Sequence, residues 1–348
     1  MGRYSSRESM SHPMSFKIES SEGVEYFNVQ QVKPLGLDSF NSETAKIIFF
    51  GERFKFTGNE TISHKGQHYI DVKHSSKFNM FVLCSGGWMP PSYVMGKNYV
   101  VDRNVLSYIT ENKSYECFLN WFNVIKSSND IKFSAIFSAI ERNSVLIGSK
   151  DNYLSNVIKD KEDLEEYFSK DASYQFNNSS LSKIYDFVKK RTTENILDFL
   201  IDSVKFLVNK TKESERLDKA KLVFQLAKKY KVKENKLVVI LCVSCLYSKS
   251  YEFSRKIIKP SKTYGKAEAI NCINDTLFID FIMLSKKYFS SDFCGVTADK
   301  NLALFWCALN PELIDSSDFT YQFNLSEELF NTASKSEIEH IVLALEEL

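Results

Sequence analysis

Twice in this chain, a short apolar run typical of a strand ends near an acid and is followed by a sequence typical of a helix. The first apolar run is YVV, which is followed by Asp102 and then by the helical pattern VLSYITENKSYECFLNWFNVI. The second is FCGVT, which is followed by Ala298 and by a helical pattern that opens at Asp299 (DKNLALFWCAL). A buried strand that ends in an acid before a helix is typical of the carboxyl edge of a parallel sheet. The sequence therefore predicts an α/β fold with a parallel sheet and places both acids at one edge of it.

Two further acids fall where such a sheet would bring them to the same place. Glu141 lies in residues 133–147 (FSAIFSAIERNSVLI), which the apolar spacing predicts to be helical, and Asp275 lies near the start of a helix containing CINDTLFIDFIMLSKKYF. Clustered carboxylates repel one another unless a divalent cation compensates them, and oxygen ligands select Mg²⁺ or Mn²⁺. The four acids thus predict a metal site suited to hydrolysing nucleic acid.

Each acid also has a simpler interpretation when it is taken alone. An Asp that follows a strand is commonly the N-cap of the next helix, and a Glu on an amphipathic helix commonly faces solvent. What favours the metal site is that all four acids occur in the expected order.

Four segments carry a family resemblance. YVVDRNVLSYI, SAIERN, INDTLFIDFIML and VTADKNLALFW resemble, in that order, the four motifs of the PilT N-terminal (PIN) domain nucleases. The resemblance implies a PIN-like, Rossmann-like α/β/α nuclease that uses Mg²⁺ or Mn²⁺ and usually cuts RNA, leaving a 5′-phosphate and a 3′-hydroxyl. A bacterial toxin or phage-defence effector is the setting that it suggests.

The resemblance also implies roles for individual residues. Asp102 would be the central metal ligand, Asn104 would order the turn from strand to helix, and Thr297 would present a hydroxyl beside the metal. The catalytic and metal-binding acids would be Asp102, Glu141, Asp275 and Asp299.

Two features depart from the family pattern. Asp280 competes with Asp275 for the third acid, because its spacing to Asp299 is nearer to that of compact family members. Asp275 is preferred, since Asn-Asp followed by Thr-Leu-Phe-Ile fits the motif better. Arg103 places a cation next to the proposed ligand, where it could bind phosphate or weaken metal affinity.

The chain divides into regions of different pattern. Residues 1–15 are predicted to be a disordered leader, and residues 16–95 a β-rich N-terminal module whose strands alternate as in AKIIFFGERFKF. Residues 85–91 (SGGWMPP) suggest a loop or linker. Residues 96–325 would form the PIN-like domain, with a helical insertion at about 151–265, and residues 326–348 would end in a helix that has a Ser-x-x-Glu capping box.

Charge is distributed unevenly along the chain. The formal net charge is +1, yet residues 183–266 contain 21 Lys plus Arg against nine Asp plus Glu. This stretch could follow a phosphate backbone, although lysines on amphipathic helices are usually only solvated. The segment KPSKTYGK is the sharper candidate, because its Tyr could stack on a base. The residues predicted to bind nucleic acid are Arg103, Lys259, Lys262, Tyr264 and Lys266.

Several classes of protein are disfavoured. No apolar run approaches the roughly 20 residues of a membrane span; the longest, LVVILCVSCLY, predicts a buried helix whose Cys242 and Cys245 pack in the core. Seven scattered cysteines indicate the reducing cytoplasm. Phosphate-binding GxxxxGK, HExxH and GxSxG motifs are absent.

Two functions remain, and they belong to different classes. The first is a metal-dependent endoribonuclease, with RNA a more probable substrate than DNA and with an inhibitory or complex-forming protein as a further partner. The second is a non-catalytic PIN-like scaffold that binds RNA or a protein. No membrane partner is expected.

Overall fold

The structure is a computed structural model that describes residues 14–20, 23–41, 44–57, 60–73, 80–90, 98–110, 131–141, 148–167, 173–247, 252–289, 293–315, 320–323 and 325–348. Most of the predicted leader lies outside these ranges. The described residues form a mixed α/β structure with a four-stranded sheet, a five-stranded sheet and a two-stranded sheet.

The four-stranded sheet is an antiparallel meander at the N-terminus. Its strands are β1 (Met14–Ser20), β2 (Gly23–Lys33), β3 (Thr44–Thr57) and β4 (Glu60–Lys73). Each strand pairs with the next along the chain, as the alternating sequence predicts. One face of the meander is buried through Phe27, Val29, Ile47 and Phe49.

The five-stranded sheet is mixed rather than parallel. It contains β5 (Phe81–Cys84), β6 (Gly87–Met89), β7 (Asn98–Val101), β8 (Lys132–Ser134) and β9 (Phe293–Thr297), in the order β6-β5-β9-β7-β8. β8, β7 and β9 are parallel to one another, whereas β5 is antiparallel to β9 and β6 is antiparallel to β5. The predicted parallel sheet is therefore present only in its three-stranded half.

β5 and β6 fall inside the predicted N-terminal module and the predicted 85–91 loop, but they belong to the central sheet. All residues of both strands are buried, which suits a sheet interior rather than a linker. The indole Nε1 of Trp306 donates to the carbonyls of Cys84 (3.0 Å) and Gly87 (2.7 Å), so their turn is fixed to a later helix. Leu35 and Trp88 exchange backbone hydrogen bonds, which join the meander to this sheet.

Residues 133–147 do not form one helix as predicted. Phe133 and Ser134 end β8, where they pair with Tyr99 and Val100 of β7, and α2 (Ile136–Glu141) begins only afterwards. The burial gained by adding a third parallel strand overrides the helical spacing of this short apolar run. Residues 142–147 lie outside the described ranges.

Helices form most of the rest of the chain. The longest, α9 (Lys266–Phe289), packs on β9, and α7 (Lys236–Tyr247) is buried from Leu237 to its end, as predicted for that apolar run. The other helices are α1 (Arg103–Thr110), α3 (Lys150–Tyr167), α4 (Asn178–Arg191), α5 (Glu194–Leu207), α6 (Arg216–Lys229), α8 (Phe253–Ile258), α10 (Lys300–Leu309) and α11 (Lys335–Glu346).

The helices α2 to α9 lie between the parallel strands β8 and β9, and α3 to α8 occupy the described part of the predicted insertion at 151–265. The C-terminal region contains the hairpin of β10 (Pro311–Asp315) and β11 (Thr320–Phe323), then a 3₁₀-helix (Glu327–Phe330) and α11. The Ser334 and Glu337 capping box is confirmed. None of the helices in the described ranges combines the length and the apolar character needed to cross a membrane.

Candidate functional site

Asp102 and Asp299 lie at the edge of the sheet that is formed by the carboxyl ends of β7 and β9. β7 is the middle parallel strand, the next strand along the chain (β8) pairs on one side of it, and β9 pairs on the other. In open α/β sheets, ligands bind at the point where successive connections diverge in this way. Asp102 follows β7, and Asp299 follows β9 by two residues.

Asp102 is held rigidly at this edge. Its backbone N–H donates to the Val296 carbonyl of β9 (3.0 Å), and its Oδ1 accepts from the backbone N–H of Val105 (2.8 Å), which caps α1. Its Oδ2 accepts from the hydroxyl of the buried Thr297. Thr297 therefore lies beside Asp102, and Asp102 caps α1, as its simpler interpretation predicts.

Asp299, like Asp102, both caps a helix and contacts Thr297. Its Oδ1 accepts from the backbone N–H groups of Asn301 (2.6 Å) and Leu302 (3.3 Å), which caps α10. Its own N–H donates to the hydroxyl of Thr297 (2.9 Å), so that Thr297 links the two acids. Among the described residues, none donates a hydrogen bond to Oδ2 of Asp299, which leaves that oxygen available to a ligand.

The pKa values of Asp102 and Asp275 respond to neighbouring acids. Burial raises the pKa of Asp102 to about 6 against the hydrogen bonds from Thr297 and Val105, and the charge of Asp299 raises it as well. Burial also raises the pKa of Asp275 well above its ordinary value; Asp299 and Asp102 raise it further, and Lys259 opposes them. Like charges act on one another in this way only over short distances, so Asp275 lies near the edge that carries Asp102 and Asp299. Asp275 also keeps partial exposure to solvent.

Asp280 faces a different environment from Asp275. Its Oδ2 lies 3.3 Å from Nε of Arg191 on α4, and both side chains are almost completely buried. Burial raises the pKa of Asp280 to about 7, and Arg191 acts in the opposite direction. Because Arg191 engages the Asp280 carboxylate, whereas Asp299 and Asp102 act on Asp275, the structure favours Asp275 as the third acid of the edge.

Two parts of the predicted metal site are not seen in the described residues. Glu141 ends α2, but its side chain lies outside what the structure describes. In the described part of the chain, no three or more His, Cys, Asp and Glu side chains are grouped so that they could hold a metal ion. Both oxygens of Asp102 and one oxygen of Asp299 accept hydrogen bonds from the protein itself.

Two neighbours of Asp102 do not have their predicted contacts. Asn104 is exposed, and the turn that it was expected to order is fixed instead by Asp102 and Val105. Arg103 is half-buried, and within the described ranges its Nη1 has no hydrogen-bond partner. No described contact connects either side chain to the acids.

The residues predicted to bind nucleic acid differ in their exposure to solvent. Lys259 and Lys262 are exposed, and Lys259 adjoins the edge through its effect on Asp275. Tyr264 is buried beside Cys272 and Cys242, so its ring is not available to stack on a base and that prediction is wrong. Lys266 forms an exposed ion pair with Glu194 (3.1 Å). Lys256 on α8, which was not predicted, is exposed as well.

Arg191 is the residue of the site region that sequence reasoning missed. It forms an ion pair with Asp280, yet it lies on a different helix, and nothing in its local sequence indicates the pairing.

The chain has no match among family models, curated proteins or solved structures.

Proposed function

We propose that this protein is a metal-dependent nuclease whose active site is the edge formed by Asp102, Asp275 and Asp299, with Glu141 as a fourth acid. The observation that carries the proposal is that Asp102 and Asp299 follow two paired parallel strands at the switch point of the sheet and share the hydroxyl of Thr297, while the charges of both acids raise the pKa of Asp275. Such a set of oxygen donors suits Mg²⁺ or Mn²⁺ better than any softer metal.

Each residue has a distinct part in this proposal. Asp102 and Thr297 form the fixed base of the site, whereas Asp275 and Oδ2 of Asp299 are the groups that can turn toward a cation. A divalent cation bound there would stabilise the charge that develops on a phosphodiester during hydrolysis. Lys256, Lys259 and Lys262 would attract the substrate's phosphates to the edge.

The test is RNA cleavage by the purified full-length chain with Mn²⁺. The Asp275→Asn variant should lose at least about a hundredfold in rate, because it removes a charged metal ligand. Asp218→Asn, which changes an 80% exposed acid far along the chain, is the matched control and should keep the wild-type rate. Asp280→Asn, if it remains folded by circular dichroism, should also cleave. Wild-type rates in Asp275→Asn would refute the proposal.

A second function is supported by the same hydrogen bonds. Asp102 and Asp299 both cap helices, so the acids could serve only to fix two strand–helix turns in a non-catalytic scaffold that binds RNA or a protein. The two functions differ in one respect: a scaffold would bind RNA equally well with and without Mn²⁺ and would never shorten it.

A further inference from the structure

The solvent face of the N-terminal meander carries a row of aromatic rings. Tyr26 on β2 is 42% exposed, Phe50 on β3 is 40% exposed and Tyr69 on β4 is 61% exposed. Phe54 on β3, directly opposite Tyr26, is partly exposed on the same face. Side chains alternate across a sheet, so these four rings share one face while Phe27 and Phe49 are buried on the other. We call this surface the aromatic face.

The register spaces the rings as a path across three strands. Tyr69 pairs with Ile48 and Phe50 pairs with Gln67, which makes Tyr69 and Phe50 diagonal neighbours at about 7–8 Å. Phe54 follows Phe50 by four residues, roughly 13 Å along β3, and Tyr26 lies beside it. The path therefore offers two stacking positions at one end and two at the other.

Basic side chains border the rings. The Nζ atom of Lys46 lies 4.1 Å from the centroid of the Tyr69 ring. Exposed Lys33 pairs with Ile48, and exposed Lys65 pairs with Glu52, so both project on the aromatic face. Two acids, Glu52 and Asp71, share the face with these three lysines. Phosphate groups would find cations next to each end of the path.

We propose that the aromatic face binds single-stranded nucleic acid, with bases stacked on the rings and phosphates near the lysines. Base–aromatic stacking tolerates any base, and a four-stranded sheet with exposed rings is one established way of presenting it. Exposed rings bordered by lysines favour this occupant over another protein, whose interface would be depleted of lysine. The proposal adds a second binding site and does not depend on cleavage at the acid edge.

The test is fluorescence anisotropy with a labelled 12-nucleotide RNA or DNA of mixed sequence, in EDTA and at low salt. Replacing three rings (Tyr26→Ser, Phe50→Ser and Tyr69→Ser) should weaken binding at least tenfold. The matched control replaces three apolar residues of similar exposure elsewhere (Ile158→Ser, Leu222→Ser and Leu343→Ser) and should leave the affinity unchanged. Equal affinity of the ring variant and the wild type would overturn the proposal.

A second variant keeps the rings and so guards against misfolding. Lys46→Gln with Lys65→Gln should reduce the dependence of log affinity on log salt by about 0.7 for each phosphate that is no longer neutralised. The ring replacements should also weaken binding at least tenfold when they are made in a Lys259→Glu and Lys262→Glu background. If the ring effect disappeared in that background, the strand would bind at the acid edge, and the proposal would be overturned. The proposal would also be overturned if the wild-type protein were a dimer that binds no oligonucleotide and the ring variant were a monomer.

Discussion

Asp102 combines a capping role with a pKa near neutrality. An exposed Asp titrates at about 3.9, whereas burial raises the pKa of Asp102 to about 6 despite three hydrogen bonds that lower it. The folded protein therefore holds this proton more tightly than the unfolded chain does. The contribution to stability is complete below about pH 4 and is lost as the pH rises through about 6.

The Asp102→Asn variant should reveal this cost as a function of pH. Asn keeps the oxygen that accepts from Val105 N–H and removes the charge. A difference of about 2 pKa units corresponds to about 3 kcal/mol, so the stability of the variant relative to wild type should rise by up to that amount between pH 4 and pH 7.5. Urea denaturation in EDTA measures it. If the difference in stability between the variant and the wild type were the same at every pH in this range, burial would not raise the pKa of Asp102.

At the scale of elements, the position of Asp275 depends on how closely α9 approaches β9. A Cβ atom on Gly295 would lie 2.2 Å from Cδ1 of Ile282 and 2.9 Å from Cε1 of Phe278, both on α9. The absence of a side chain in the middle of β9 is what lets this helix lie close to the sheet. Asp275 is carried by the same helix, so its distance from Asp102 is coupled to that contact.

The Gly295→Ala variant should therefore lose stability and weaken the acid edge together. Overpacking of a rigid core costs about 1–3 kcal/mol, measured by urea denaturation. Displacement of α9 should also reduce any Mn²⁺-dependent cleavage. Gly36→Ala is the matched control, because no atom lies within 4 Å of the Cβ that it adds. Equal stability of Gly295→Ala and Gly36→Ala would contradict the close packing of α9 on Gly295.

The elements also show how far the sequence could predict the fold. The strands before Asp102 and Asp299 and the buried helix α7 follow from local apolar pattern, which is visible in any short window. β8 could not be predicted, because its three residues are a strand only by pairing with β7. Arg191 and the antiparallel β5 depend likewise on partners distant in sequence.

At the scale of the whole molecule, the acid edge joins three segments that are far apart in the chain. Asp102 lies in its first third, Asp275 follows the helical insertion, and Asp299 follows β9. The mutual repulsion of these acids opposes the folded state once they ionise, and a divalent cation would reverse that effect. Metal binding and global stability should therefore be linked through pH.

The linkage can be measured as a thermal shift. Because the ligands must be ionised, Mn²⁺ at about 100 times its Kd should stabilise the folded chain by about 2.7 kcal/mol at pH 8, roughly 3 °C or more in Tm. At pH 5, which lies below the pKa of about 6 of Asp102, the shift should be much smaller, and the raised pKa of Asp275 acts in the same direction. Asp275→Asn should abolish the shift at pH 8, and Asp218→Asn should preserve it. A shift that is equal at both pH values, or that survives in Asp275→Asn, would mean that Mn²⁺ binds elsewhere and that the acids at the ends of β7 and β9 serve only as helix caps.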